Sequence, residues 1–169
     1  VNTFNTFYGE GVYEIPIDKD WKIRLGAQFT DQRAVGDAFL RTSEKDWSTQ
    51  QGGARVQLVY RDIQLTGAFS ITAKGNNIQN PWGSFPGYLS LIDQDFDRAG
   101  EQAILFGIAY DFSNVLTKGL SANMNMAWGK DAINPVTKNS APNQAEYDLA
   151  VDYRPPFKMP AFLQGLWFR

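Results

Sequence analysis

Apolar and polar residues alternate along several ten-residue stretches of the chain. Residues 21–30 carry Trp, Ile, Leu, Ala and Phe at the odd positions and Lys, Arg, Gly, Gln and Thr at the even positions. Residues 63–72 repeat the pattern, with apolar residues at 63, 65, 69 and 71 and polar residues at 64, 66, 70 and 72. Because successive side chains of a strand point to opposite faces, each stretch predicts a β-strand with one apolar and one polar face.

The same reasoning predicts about eight strands in chain order. The other predicted strands are residues 11–17, 54–60, 102–112, 120–128, 146–154 and a last one that starts at 165. The connections alternate between short ones (18–20, 61–62, 113–119, 155–164) and long ones (32–51, 73–100, 129–144). Strands of this length with turns on one side and long loops on the other are typical of an all-β, antiparallel, up-and-down transmembrane β-barrel.

The apolar runs favour crossing a membrane with strands. The longest one, around residues 103–110, is far shorter than the ~20 residues that a membrane-spanning helix needs. Four aromatic residues on the apolar face adjoin the short turns, namely Trp21, Tyr60, Tyr110 and Tyr153. Rings of this kind favour the boundary between lipid and water, so we predict a girdle at one interface.

The composition narrows the possible functions. The chain contains no cysteine and no histidine, which removes thiolate chemistry, the usual general base and the commonest metal ligand. Lysine and arginine number 16 against 18 acidic residues, so no net basic field favours nucleic acid. No nucleophile motif accompanies the carboxylates. We therefore predict no enzyme, no catalytic residue, no cofactor, no metal site and no nucleic-acid partner.

Basic residues on the polar face are the first candidate site. If the apolar face meets lipid, these side chains border a water-filled lumen, where an arginine fork matches the two oxygens of a carboxylate. We expect Arg24 and Arg55 to contribute most to the solute path, because they lie furthest inside their strands. The predicted pore-lining residues are Lys22, Arg24, Arg55, Arg61 and Arg154. The alternative is that they form salt bridges with Glu14, Asp148 and Asp152 that stabilise the barrel.

The long loop at residues 73–100 is the second candidate site. Its aromatic residues Trp82, Phe85, Tyr88 and Phe96 indicate a loop packed onto another surface, since an unstructured loop of this size is uncommon. Three carboxylates at every second position, Asp93, Asp95 and Asp97, predict a constriction opposite the arginines that accepts an ammonium group. Binding of a divalent cation and a plain solvated loop are the alternatives. The spacing departs from that of a calcium loop.

Several motifs resemble one family of membrane channels. The motifs FDRAGE at 96–101, YDFS at 110–113, GLSA at 119–122, YDL at 147–149, YR at 153–154 and GLWFR at 165–169 are similar to the OprD-type outer-membrane porins, substrate-specific channels of Gram-negative bacteria. The resemblance implies a monomeric, 18-stranded barrel more than twice this length. Residues 1–169 would be a single C-terminal segment of it, roughly strands ten to seventeen and incomplete at both ends. The loop at 73–100 would be the seventh extracellular loop, and the family's basic ladder would include Arg24 and Arg55.

The resulting expectation is a segment of a porin in the bacterial outer membrane. It would permit passive, selective diffusion of small carboxylate-bearing solutes such as amino acids or organic acids. Its other partners would be outer-membrane lipid and lipopolysaccharide. The alternative function is that of a small, closed, eight-stranded barrel with a structural or adhesive role, because eight strands can close around an interior filled with side chains.

Overall fold

The computed structural model of the protein describes residues 4–35, 46–80, 86–156 and 168. Within these residues seven strands form one sheet in chain order, and each strand pairs antiparallel with the next. They are β1 (Phe4–Pro16), β2 (Trp21–Ala34), β3 (Ser48–Tyr60), β4 (Ile63–Thr72), β5 (Gln102–Asp111), β6 (Leu120–Lys130) and β7 (Gln144–Tyr153). One 3-10 turn, Phe112–Asn114, lies between β5 and β6.

The predicted up-and-down order is confirmed, and seven of the eight predicted strands are described. In the described residues β1 and β7 do not pair with each other, so the sheet is open. The predicted last strand lies outside the described residues except for Phe168, which exchanges two backbone hydrogen bonds with Tyr153 at 2.9 and 3.0 Å. No helix in the described part of the chain is long and apolar enough to span a membrane.

Three strands extend well beyond the ranges that the sequence pattern predicted. β1 starts at Phe4 rather than at 11, β2 continues to Ala34, and β3 starts at Ser48 rather than at 54. The long loop predicted at 32–51 is therefore limited to residues 35–47, of which 36–45 lie outside the described residues. Alternation was missed here because polar side chains such as Gln50 stand where an apolar residue was expected, while the backbone ladder continues.

The two faces of the sheet have opposite chemistry. We call the face that carries Leu25, Val56 and Leu65 the outer face. Leu25 pairs with Val56, and Leu65 pairs with Leu58, two residues beyond Val56 in β3. Large apolar side chains on it are exposed in every strand, among them Tyr13, Leu25, Phe29, Val56, Leu65, Phe69, Ile71, Ile104, Phe106, Ile108, Met124, Leu149 and Val151. A contiguous apolar surface of this extent indicates contact with another apolar phase.

The inner face is the opposite side, and the described loop residues 73–80 and 86–101 fold over it. Polar side chains of β2, β3 and β4 are buried there, including Gln28, Thr30, Gln32, Thr49, Gln51, Ser70 and Thr72. A small apolar core forms where Leu89 and Phe96 of the loop, each 1% exposed, pack on Ala103, Leu105 and Ala127. The expectation that the loop packs onto something is therefore confirmed for its described part. Trp82 and Phe85 lie outside the described residues.

Aromatic rings on the outer face gather next to the short turns. The rings of Trp21 and Tyr60, paired across β2 and β3, have centroids 4.3 Å apart. Tyr110, at the end of β5, contacts Phe112 at 4.6 Å. The positions predicted for an interfacial girdle therefore lie together at the turn side of the sheet.

The opposite chemistry of the faces predicts how neighbouring residues of β3 respond to charge. We expect Val56→Arg to destabilise the complete protein in lipid vesicles by about 2–4 kcal/mol, because Val56 is on the outer face in the middle of its strand. Gln57→Arg is the matched control, since Gln57 is on the inner face beside Thr66. Urea unfolding in vesicles measures both. Equal losses for the two variants would contradict the assignment of the faces.

Candidate solute path

Three of the predicted basic residues form a wall on the inner face. Lys22 and Arg24 occupy alternate positions of β2, and Arg55 of β3 is opposite Gly26, the next inner position of β2. The alternation of β2 and its register with β3 bring these three side chains to one surface. We call them the basic wall.

Two glutamates of β1 accompany the basic wall. Arg24 donates through Nε to Glu14 Oε2 at 2.5 Å, and Lys22 Nζ lies 3.5 Å from the same oxygen. Arg55 lies 4.0 Å from Glu10 Oε1. The predicted salt bridge with Glu14 is therefore present, yet the side chains of Lys22, Arg24 and Arg55 remain 35, 36 and 30% exposed. Three cations face two carboxylates, which leaves one positive charge in excess at a solvent-accessible surface.

The other two basic residues lie elsewhere. Arg61 is in the turn between β3 and β4 with a φ of 49°, and its side chain, 60% exposed, pairs with Asp20 at 3.2 Å. Arg154 follows β7 and is exposed, and its backbone N–H donates to the Gly119 carbonyl. The structure thus brings Lys22, Arg24 and Arg55 together and leaves Arg61 and Arg154 beside turns. A role of any of the five in the solute path stays a prediction.

Tyr88 attaches the loop to the basic wall. Its ring lies 4.1 Å from the Arg55 guanidinium, in a cation–π arrangement, and its hydroxyl donates to Glu10 Oε1 at 2.9 Å. Burial and the hydrogen bond to Glu10 raise the pKa of Tyr88 to about 12. Gly26 provides the space, because a Cβ there would lie 2.5 Å from the Tyr88 hydroxyl oxygen. We call this set, Tyr88 with Glu10, Gly26 and Arg55, the Tyr88 latch.

Polar side chains of the inner face hold the rest of the loop through its backbone. Glu146 of β7 accepts the N–H groups of Asp93 and Gln94 at 2.8 and 2.7 Å. Gln32 donates to the Gln79 carbonyl at 2.8 Å and accepts its N–H at 2.7 Å. Three more side chains of β2 and β3 bond to the loop backbone: Thr49 donates to Asn76 O, Gln51 to Phe96 O, and Gln28, in the amide orientation that satisfies both its groups, to Pro86 O.

The three loop aspartates have different surroundings. Asp93 is exposed and accepts from the Gln94 amide at 2.6 Å, whereas Asp95 accepts from the Ser90 hydroxyl at 2.5 Å. Asp97 is partly buried, and burial, followed by the negative charges of Asp95 and Glu101, raises its pKa to about 7. Their role at a constriction stays a prediction. Within the described ranges, no group of three or more acidic residues has the geometry to hold a metal ion.

Sequence reasoning missed the residues that connect loop and wall. Glu10 lies upstream of the first predicted strand, and Glu146 appeared only as a polar position of its strand. Tyr88 was recognised as part of a packed loop, but no spacing rule relates it to Arg55, 33 positions earlier. A glycine among the polar positions of β2, Gly26, was the available signal, since glycine in a strand often marks a close approach.

Comparison with known proteins identifies the architecture. No protein-family model and no curated protein sequence matches the chain. Three similar solved structures, all from Pseudomonas aeruginosa, each have a TM-score of 0.80: OccK9 (OpdG), OprD, and OpdK with vanillate. The sequence identity is 18% for OccK9, 18% for OprD and 15% for OpdK. The match covers 94% of this chain and 40% of OccK9, 92% of this chain and 44% of OprD, and 92% of this chain and 40% of OpdK. The fold is that of the OprD-type porins. The chain spans well under half the length of these porins, and the predicted resemblance is confirmed for the fold.

The Tyr88 latch predicts the effect of a single methyl group. We expect Gly26→Ala to displace the Tyr88 ring and weaken the attachment of the loop roughly tenfold, because a cation–π contact and a charge-assisted hydrogen bond are lost together. The rate of trypsin cleavage after Lys74 and Arg98 in the complete protein measures this. Gly67→Ala is the control, since nothing lies within 4 Å of a Cβ at Gly67. Equal cleavage rates in both variants would exclude the latch.

The raised pKa of Asp97 predicts a pH dependence of stability. Between about pH 4 and pH 7 the unfolded carboxyl ionises while the folded one retains its proton, so stability falls as pH rises through this window. The loss is at most about 4 kcal/mol, at ~1.4 kcal/mol per pKa unit. We expect Asp97→Asn to remove this part of the dependence, measured as urea midpoints at pH 4 and 8, and Asp93→Asn to retain it. A wild-type dependence unchanged in Asp97→Asn would refute the assignment.

Proposed function

We propose that the chain is a C-terminal segment of an outer-membrane porin through which small carboxylate-bearing solutes, such as amino acids or organic acids, diffuse passively. The outer face would contact outer-membrane lipid, and the complete protein would be a monomeric barrel in the bacterial outer membrane. The likeness in fold to porins supports a channel rather than an enzyme.

The observation that carries the proposal is the basic wall. A solute carboxylate that reaches the basic wall can bind the guanidinium of Arg24 or Arg55, because both side chains are partly exposed and the three cations exceed the two nearby glutamates by one charge. Glu14 and Glu10 remain beside these arginines and compete with the solute for them. Binding is therefore favourable enough for entry and weak enough for release, which is what passive conduction requires.

The Tyr88 latch gives the path a narrow point. The Tyr88 ring covers one side of Arg55, so a passing carboxylate meets a guanidinium whose other side rests on an aromatic surface. A planar solute would stack on Tyr88 while its carboxylate binds Arg55 or Arg24. One of the similar porins was crystallised with vanillate, a planar aromatic carboxylate, which supports this class of solute.

The basic wall predicts which arginines determine selectivity. We expect Arg24→Gln and Arg55→Gln each to lower the flux of benzoate through the complete protein roughly threefold to tenfold, since each removes a partly exposed, charge-assisted contact. Flux into proteoliposomes and the zero-current potential in a salt gradient measure the effect. Arg61→Gln is the matched control, because Arg61 lies in a turn and pairs with Asp20.

Two results would contradict the proposal. One is the absence of any conductance by the complete protein in planar bilayers. The other is a loss of flux in Arg61→Gln as large as that in Arg24→Gln, because a general effect of positive charge would then replace a defined path.

A further inference from the structure

A recess in the outer face lies at the loop side of the sheet. Its volume is about 620 Å³, within the range of small-molecule sites. We call it the outer groove, and its main lining residues are Phe69, Ile104, Trp128, Ala145, Gln102 and Lys130. It opens on the outer face, away from the basic wall.

The ladder explains why a recess forms at this place. Phe69 of β4, Ile104 of β5, Trp128 of β6 and Ala145 of β7 follow one another across the sheet. Among the described strands Ala145 is the last residue of this row, and it contributes only a methyl group. The Trp128 ring contacts Tyr147 at 5.8 Å and 86° and donates its indole N–H to the Tyr147 hydroxyl at 3.1 Å. With Trp128 fixed in this way, the wall of the groove is formed before any ligand arrives.

The groove is apolar towards the middle of the strands and polar at its loop end. Two residues beyond the Ile104–Trp128 pair, on the same face and nearer the loops, Gln102 pairs with Lys130. The Lys130 side chain is 67% exposed, and its ammonium group is 3.9 Å from Asp131, a contact too exposed to hold it firmly. A positive charge at one end of an apolar recess matches a molecule with an acyl chain and an anionic headgroup.

We propose that the outer groove binds one molecule of a phosphorylated, acylated glycolipid, the chemistry of lipopolysaccharide, with a phosphate at Lys130 and an acyl chain against Phe69, Ile104 and Trp128. This inference rests on the proposed outer-membrane location, because the loop side of such barrels faces the outer leaflet. The continuous exposed apolar surface below the groove accommodates the remaining chains. The groove thus holds a defined lipid within an otherwise uniform lipid contact.

Native mass spectrometry of the complete protein tests the proposal. The protein is released from micelles that contain equal amounts of bis-phosphorylated lipid A, dephosphorylated lipid A and phosphatidylglycerol. We expect one bis-phosphorylated lipid A per barrel. Ala145→Phe, which fills the recess, should weaken its retention on the order of tenfold, because several buried methylene groups lose their contacts. Ala27→Phe, on the outer face of β2 and separated from Phe69 by β3, is the matched control and should retain it.

The charge is tested separately. Lys130→Gln should weaken retention of bis-phosphorylated lipid A about fivefold and leave dephosphorylated lipid A unchanged, as expected for one lysine beside an anionic headgroup. Lys118→Gln, at the turn side, is its control. Heat-modifiable migration on gels verifies that every variant is folded.

Three outcomes would overturn the inference. Equal retention by Ala145→Phe and Ala27→Phe would mean unspecific lipid contact, equal retention of phosphatidylglycerol would exclude a glycolipid site, and a dimer lost in Ala145→Phe would make the groove a contact between two copies. Conductance of the same variants separates this inference from the proposed function. A wild-type protein that conducts but retains the three lipids equally overturns only the groove, and lipid discrimination without benzoate flux overturns only the solute path.

Discussion

Pairing of the backbone is the constraint on which the structure depends. A strand that faces hydrocarbon on one side has no water there to satisfy its N–H and C=O groups, so each must bond to a neighbouring strand. The five inner strands, β2 to β6, meet this condition on both edges by pairing in chain order through ladders of nine to thirteen residue pairs. Once the ladder is fixed, every side chain is assigned to lipid or to the interior by its parity. The apolar outer face and the basic wall follow from that assignment.

The interior is held together by hydrogen bonds more than by apolar packing. The loop core around Leu89 and Phe96 is small, while Gln32, Thr49, Gln51 and Glu146 bind loop backbone groups directly. The loop backbone is irregular, so when it is buried its N–H and C=O groups lose their hydrogen bonds to water. The amide and carboxylate groups of the strands replace those hydrogen bonds. Attachment by hydrogen bonds suits a loop that lies beside a water-filled interior, because polar contacts do not require the removal of all water.

Much of the fold followed from the sequence, and less of the site did. The alternation of apolar and polar residues, as in residues 21–30 and 63–72, located the strands. It also predicted that Arg24 and Arg55 lie on the polar face. The alternation did not predict the first residues of β3, such as Thr49 and Gln50, because polar residues occupy both faces there. On the inner face this part of the strand is covered by the loop. The association of Tyr88 with Glu10 and Arg55 was beyond reach, since it depends on how a long loop returns across three strands.

The inner face contains small residues where the loop and its supporting side chains need space. Gly26 admits the Tyr88 hydroxyl, Gly53 admits the Gln28 amide, and Gly129 admits Phe96 and Glu101. Residues 73–101 are therefore not an interchangeable module. A chimaera that transplants this segment into another barrel must also carry the three glycines of β2, β3 and β6 that make room for it. The residues that determine how the loop is held are therefore spread over separate parts of the sequence.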